Sequence, residues 1–156
     1  MKLAEALILR SDLKKRTEQL RQRLKRNVKI QEGDRVSEEP DTLIAEFDRV
    51  AAELEAVIRQ INWTNSNVLF DDLHRITDAL AMRDTLDLRI SAIRDVIDEA
   101  SERERFFTRS EIKFVVTVDT AALQKQLNEL SRKRRELDTR LQAINWQIDL
   151  MVLTNL

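Results

Sequence analysis

The sequence predicts a mainly α protein, an antiparallel four-helix bundle built from two pseudo-repeated halves, each a helix, a short extended segment and a second helix. Three observations predict it. The 156 residues include a single Gly (Gly33) and a single Pro (Pro40) and are rich in the good helix formers Leu, Ala, Arg, Glu and Lys. Apolar residues recur three and four apart through four long stretches, the spacing of one face of a helix. And the chain repeats itself: Glu5-Ala6-Leu7 followed by Arg10 returns as Asp78-Ala79-Leu80 followed by Arg83, and Ile61-Asn62-Trp63 returns as Ile144-Asn145-Trp146. A chain of this length can bury one core, so residues 1–156 are expected to form one helical domain with pseudo-repeats at about 1–66 and 74–156.

The first helix is expected from Leu3 to Lys25, with Leu3, Ala6, Leu7, Leu13, Leu20 and Leu24 on one stripe. From Asn27 to Pro40 that period is lost. Val28 and Ile30 alternate with polar residues and Glu32-Gly33-Asp34 reads as a turn. The second helix is expected to start at Asp41 or Thr42, whose short polar side chains suit the free N–H groups of a first turn, and to run through Leu43, Phe47, Val50, Leu54, Val57 and Ile61 with coiled-coil spacing. Thr64-Asn65-Ser66-Asn67 favours a break, because these side chains compete for backbone hydrogen bonds.

The third helix is expected from Ile76 to Arg103, facing inward with Ile76, Ala79, Leu80, Leu86, Ile90, Ile93, Ile97 and Ala100. Ile112 to Val118 is the one strongly β-branched run, and it is expected to pair with Val28–Gln31 as a short two-stranded β element. The fourth helix follows an Asp119 or Thr120 cap and carries Leu123, Leu127, Leu130, Leu137, Leu141, Ile144, Ile148 and Met151.

Composition narrows the function classes. The 27 basic residues nearly cancel 28 acidic ones, so no net field draws the molecule to nucleic acid or an anionic membrane. Cysteine is absent, which excludes disulfides and thiolate chemistry and fits a cytoplasmic setting. The N-terminal turns mix Glu5, Arg10 and Asp12 into the apolar residues, so neither a signal peptide nor a membrane span is expected. No nucleophile beside a positioned base and no metal-ligand spacing can be read, so neither catalysis nor a cofactor or metal is expected.

The candidate site residues are therefore polar groups out of place. Arg10 and Arg83 fall in the apolar seam, and a buried guanidinium must be paired; Glu5 and Asp78 are the expected partners, with Asn62 and Asn145 completing a buried polar network that fixes register or holds a small ligand. Trp63 and Trp146 are expected to be core or interface anchors. Lys14, Lys15, Arg21 and Arg23 are dense enough for a polyanion face, though interleaved acids favour a solvated surface. The apolar run Leu150 to Leu156 must be covered, which points to self-association, at least to a dimer.

Several stretches also resemble, end to end, an uncharacterised bacterial family often labelled septicolysin: Met1-Lys2-Leu3-Ala4-Glu5-Ala6-Leu7, Gln31-Glu32-Gly33-Asp34, Ile61-Asn62 with Thr64-Asn65, Asp78-Ala79-Leu80-Ala81, Ser110-Glu111-Ile112-Lys113 with Thr117-Val118-Asp119, and Arg135-Glu136-Leu137-Asp138 before Asn145-Trp146. The resemblance implies a soluble helical protein of unknown activity. The cytolysin chemistry in the label does not follow, since the chain has no Cys and no long alternating segments able to form a membrane barrel. Family members carry a glycine-containing turn where this chain has Asp71-Asp72-Leu73-His74.

Overall fold

The computed structural model describes residues 1–101 and 115–152. It contains four helices: α1 (Leu3–Asn27), α2 (Pro40–Asn67), α3 (Ile76–Ser101) and α4 (Thr120–Gln147). The fold is a helical bundle of paired helices, and the chain packs as two compact units, Met1–Ile76 with Gln142–Leu156, and Thr77–Leu141.

In the first unit α1 and α2 form a hairpin with a seven-residue rhythm. Ala6, Leu13, Leu20 and Asn27 are buried on α1, and Leu43, Val50, Val57 and Thr64 on α2. The pairs Arg16–Glu46 and Arg23–Glu38 tie α1 to α2 and to the residues leading into it. They set an antiparallel register that brings Leu20 level with Leu43, Leu13 with Val50, and Ala6 with Val57. Each row ends on a polar residue, and these are the buried polar side chains among the described residues. Both are satisfied in the same manner. Asn27 donates from Nδ2 to the Arg23 carbonyl (2.9 Å) and accepts the Glu38 N–H (3.2 Å), while Thr64 donates to the Gln60 carbonyl (2.8 Å) and accepts the Met151 N–H (3.0 Å).

Helix ends differ from expectation where local chemistry allows it. Glu39 is the N-cap of α2 and Pro40 its first residue, because a fixed φ and a missing N–H suit that position better than a later polar cap. The helix continues past Ile61 to Asn67: the Thr64 hydroxyl and the Asn67 amide bond back to carbonyls one turn earlier, Gln60 and Trp63, so they join the helix instead of breaking it. Asp119 caps α4, accepting the Ala122 N–H at 2.9 Å. That helix stops at Gln147, earlier than Met151, because the chain beyond it turns to pair with residues 1–3.

The expected β element takes another form. Val28–Gln31 is irregular, leading into a turn where Gly33 has φ 94, a conformation that favours glycine, and the Asp34 N–H reaches the Gln31 carbonyl at 3.0 Å. Val115–Val118 carries no ladder, while Ile112, Lys113 and Phe114 lie outside the described residues, as do Arg103 at the expected end of the third helix and the run Leu153–Leu156. Extended pairing among the described residues is confined to two isolated bridges, Lys2 with Asp149 and Leu69 with Arg75.

In the second unit α3 and α4 also pair antiparallel. Arg134 on α4 grips Asp87 on α3 from Nε at 2.9 Å, a register that brings Ile90 level with Leu130 and Ala79 with Leu141, all four buried. The seam is less closed than in the first unit. Leu86, Ile93, Leu123 and Leu137 remain half-buried.

Candidate functional site

The two bridges form matched clasps at the roots of the hairpins, both within the first unit. In the terminal clasp the Leu3 N–H donates to the Ile148 carbonyl (3.0 Å) and the Leu150 N–H to the Met1 carbonyl (2.9 Å). In the internal clasp the Ile76 N–H donates to the Val68 carbonyl (3.1 Å) and the Phe70 N–H to the His74 carbonyl (2.8 Å). The bonds correspond one to one, so Leu3 and Ile76, the buried first residues of α1 and α3, hold equivalent places.

A basic side chain completes each clasp. Lys2 Nζ donates to the Gln147 carbonyl at the end of α4 (3.0 Å), and Arg75 Nη1 to the Ser66 carbonyl at the end of α2 (2.9 Å). Cations there satisfy free carbonyls and oppose the negative end of the helix dipole. Lys2 also pairs with Asp149 at 3.0 Å, which holds that carboxyl below its ordinary range. The loop of the internal clasp is an Asx turn: Asp71 Oδ1 accepts the N–H groups of Leu73 (3.0 Å) and His74 (2.8 Å) and lies 2.9 Å from His74 Nδ1. These contacts, the Leu73 N–H first, lower the Asp71 pKa.

The expected buried polar network does not form as read from the sequence. Glu5, Asp78 and Asn62 are exposed, and Arg10, Arg83 and Asn145 half-buried. Glu5 accepts the Lys2 N–H at 2.6 Å, a cap of the first turn of α1. Arg83 grips its neighbour Asp84 from Nη2 at 2.9 Å. The reason is the seven-residue rhythm: the α1 seam runs from Ala6 to Leu13, so Arg10 lies beside it and its long stem reaches solvent.

Trp63 and Trp146 are not core anchors, being 42% and 54% exposed. Nor do they hold equivalent positions. In the register of the clasps Val68 matches Ile148, so Trp63 matches Ala143, about one helical turn before Trp146. The repeated Ile-Asn-Trp triplet is thus out of step with the structural repeat. Around the clasps Leu73, at the tip of the Asx turn and 85% exposed, joins Leu69 and Val152 as further exposed apolar side chains.

The polyanion face is mostly neutralised. Lys15 pairs with Asp12 (3.4 Å), Arg21 with Glu18 (2.9 Å) and Arg23 with Glu38, leaving Lys14 of the four cations without an ion pair among the described residues. The hydrogen bonds to these cations depress the carboxyls of Glu18, after Gln22, and of Glu38. A shallow depression on α1 between Glu18, Gln19, Gln22, Arg23 and Arg26 is lined by this same paired set. The described residues hold no group of three His, Cys, Asp or Glu able to bind a metal, and no helix among them is long and apolar enough to cross a membrane.

No curated protein matches this chain. Among solved structures it is similar to a functionally unknown conserved protein from Corynebacterium diphtheriae, at 34% identity over 97% of this chain and 99% of that one, with a TM-score of 0.91. Neither that neighbour nor the matching family carries the septicolysin label. With a family pattern that spans residues 10–150, the chain belongs to DUF6847, a family of unknown function.

Proposed function

We propose that this protein is a self-associating structural or protein-interaction module without catalytic activity, assembling at least as a dimer and working in the cytoplasm. The observation that supports this reading is the exposure of both tryptophans of the chain, at 42% and 54%, on the unit that also carries the clasps. Tryptophan offers a large apolar surface with one polar N–H, and interfaces that cover it gain much of their affinity from such residues. Trp63 and Trp146 act here as interface anchors. The absence of cysteine suits a reducing compartment.

Sedimentation of the full chain over a hundredfold range of concentration, on the order of 1 to 100 μM, tests the reading. A species of at least two chains that weakens when Trp63→Ser or Trp146→Ser is introduced is the expected result. A monomer throughout that range overturns it.

A further inference from the structure

The helices α2 and α4 each have 28 residues, and in the register of the clasps Ala45, Ala52 and Ala56 match Lys125, Arg132 and Glu136. All six are exposed. The α4 copy keeps charge at these places. The α2 copy carries three alanines in line with Arg49 and Trp63, on the side of the helix away from buried Val50 and Ile61. Trp63, 42% exposed, stands at one end of this line, where α4 has Ala143. A bulky ring beside a flat alanine surface offers both a knob and the hole to receive it. Arg49 and Arg59 are exposed and make no ion pair among the described residues, unlike Arg16 and Arg23 of α1.

The line is complementary to itself when reversed. Arg49 and Trp63 lie seven residues before and seven after Ala56. In an antiparallel pair with Ala56 on the two-fold axis, the guanidinium of one copy therefore comes level with the indole of the other, a cation–π contact. Such an axis sets each flank of the helix against the same flank of its partner. On one flank each Glu55 then lies between Arg59 of its own helix, four residues on, and Arg59 of the other copy, so the two carboxylates near the axis are balanced by two cations. Asp48, on that flank, falls between Trp63 and Ser66 of the other copy. On the opposite flank Glu53 faces Gln60, Glu46 stays with Arg16, and Asp41 lies past the overlap of the two helices. A parallel pair would set Arg49, Glu55 and Arg59 each against itself. We propose that this face of α2 docks on the same face of a second copy of this chain, antiparallel, with Ala56 on the two-fold axis, Arg49 of each copy against Trp63 of the other, and Glu55–Arg59 pairs alongside. This inference rests on the self-association proposed above and names the surface around Trp63.

The test uses the full chain by sedimentation, with helix content followed by circular dichroism. Ala56→Glu copies the residue that α4 already carries at the equivalent place, so it leaves the helix intact, and it is expected to weaken the dimer about tenfold or more. Arg59→Glu and Glu55→Arg each weaken it, and the double variant restores it, since the charges then alternate in reverse order. In a chain with no other cysteine, Ala56→Cys forms a disulfide-linked dimer on oxidation, whereas Ala45→Cys does not, its two copies standing about 30 Å apart. A dimer that Ala56→Glu leaves intact, a double variant no better than the singles, or a cross-link that forms at Ala45 and not at Ala56 overturns this surface while self-association stands. A wild-type chain that is monomeric throughout overturns both.

Discussion

The Leu3 N–H meets the Ile148 carbonyl at 3.0 Å in the same way that the Ile76 N–H meets the Val68 carbonyl at 3.1 Å. Each helix that opens a hairpin is thereby fastened by its first buried residue to the chain leaving another helix. In one clasp a three-residue loop, Asp71–Leu73, joins the partners; in the other they come from opposite ends of the sequence.

That equivalence predicts a circular permutant. Joining Leu150 to Met1 through Asp-Asp-Leu copies the internal clasp, and opening the chain between Gly33 and Asp34 cuts an exposed turn. The permutant is expected to keep the helix content of the parent by circular dichroism and to melt within about 5 °C of it. A permutant that is unfolded at room temperature refutes the equivalence.

Thr64 is fully enclosed and accepts the Met151 N–H while donating to the Gln60 carbonyl. Thr64→Val keeps the shape and removes the acceptor, stranding one backbone donor. The expected loss is about 1–2 kcal/mol in urea unfolding. Thr64→Ser, which keeps the hydroxyl, loses less.

Leu20 lies level with Leu43 in the best-closed stretch of the α1–α2 seam. Leu20→Ala is expected to destabilise by about 2–5 kcal/mol through lost burial and the cavity left behind. Leu88→Ala, at an exposed position, changes stability by no more than about 0.5 kcal/mol. Chemical denaturation of the two variants at the same low protein concentration gives the comparison.

Acid should loosen the molecule in a definite window. The hydrogen bonds and charges of Arg23, Arg16, Arg134 and Lys2 lower the carboxyls of Glu38, Glu46, Asp87 and Asp149 from ordinary values of 4.5 for Glu and 3.8 for Asp. A depressed folded pKa means that the unfolded chain takes up the proton first. The stabilisation is therefore complete above those ordinary values and is lost as pH falls through the lower folded ones. Melting temperature should be flat from neutrality to just above them and then decline, and raised salt should reduce the decline because these pairs are exposed.

Much of this was legible in the residues. Three- and four-residue spacing predicted four helices in the right order, and Glu32-Gly33-Asp34 marked a real turn. The charged seam misled because helical spacing alone places Arg10 near Leu13 without saying which side of the contact it occupies. The buried line follows the strict sevenfold row through Ala6, Leu13 and Leu20, and Glu5 spends its carboxylate on the Lys2 N–H, so Glu5→Ala should cost only about 1 kcal/mol. The clasps were invisible because they are backbone bonds between distant segments, which leave no pattern in side-chain order. Lys2 and Arg75 gave the available clue: each is the basic residue just before the first apolar residue of its helix.

Both tryptophans belong to the unit formed by Met1–Ile76 and Gln142–Leu156, and Thr77–Leu141 has none. Intrinsic fluorescence therefore watches one unit and is blind to the other, whereas the far-ultraviolet dichroic signal sums over all four helices. Overlaying a melt followed by emission on one followed by ellipticity reads out whether the unit Thr77–Leu141 unravels with the other or ahead of it, with no label attached.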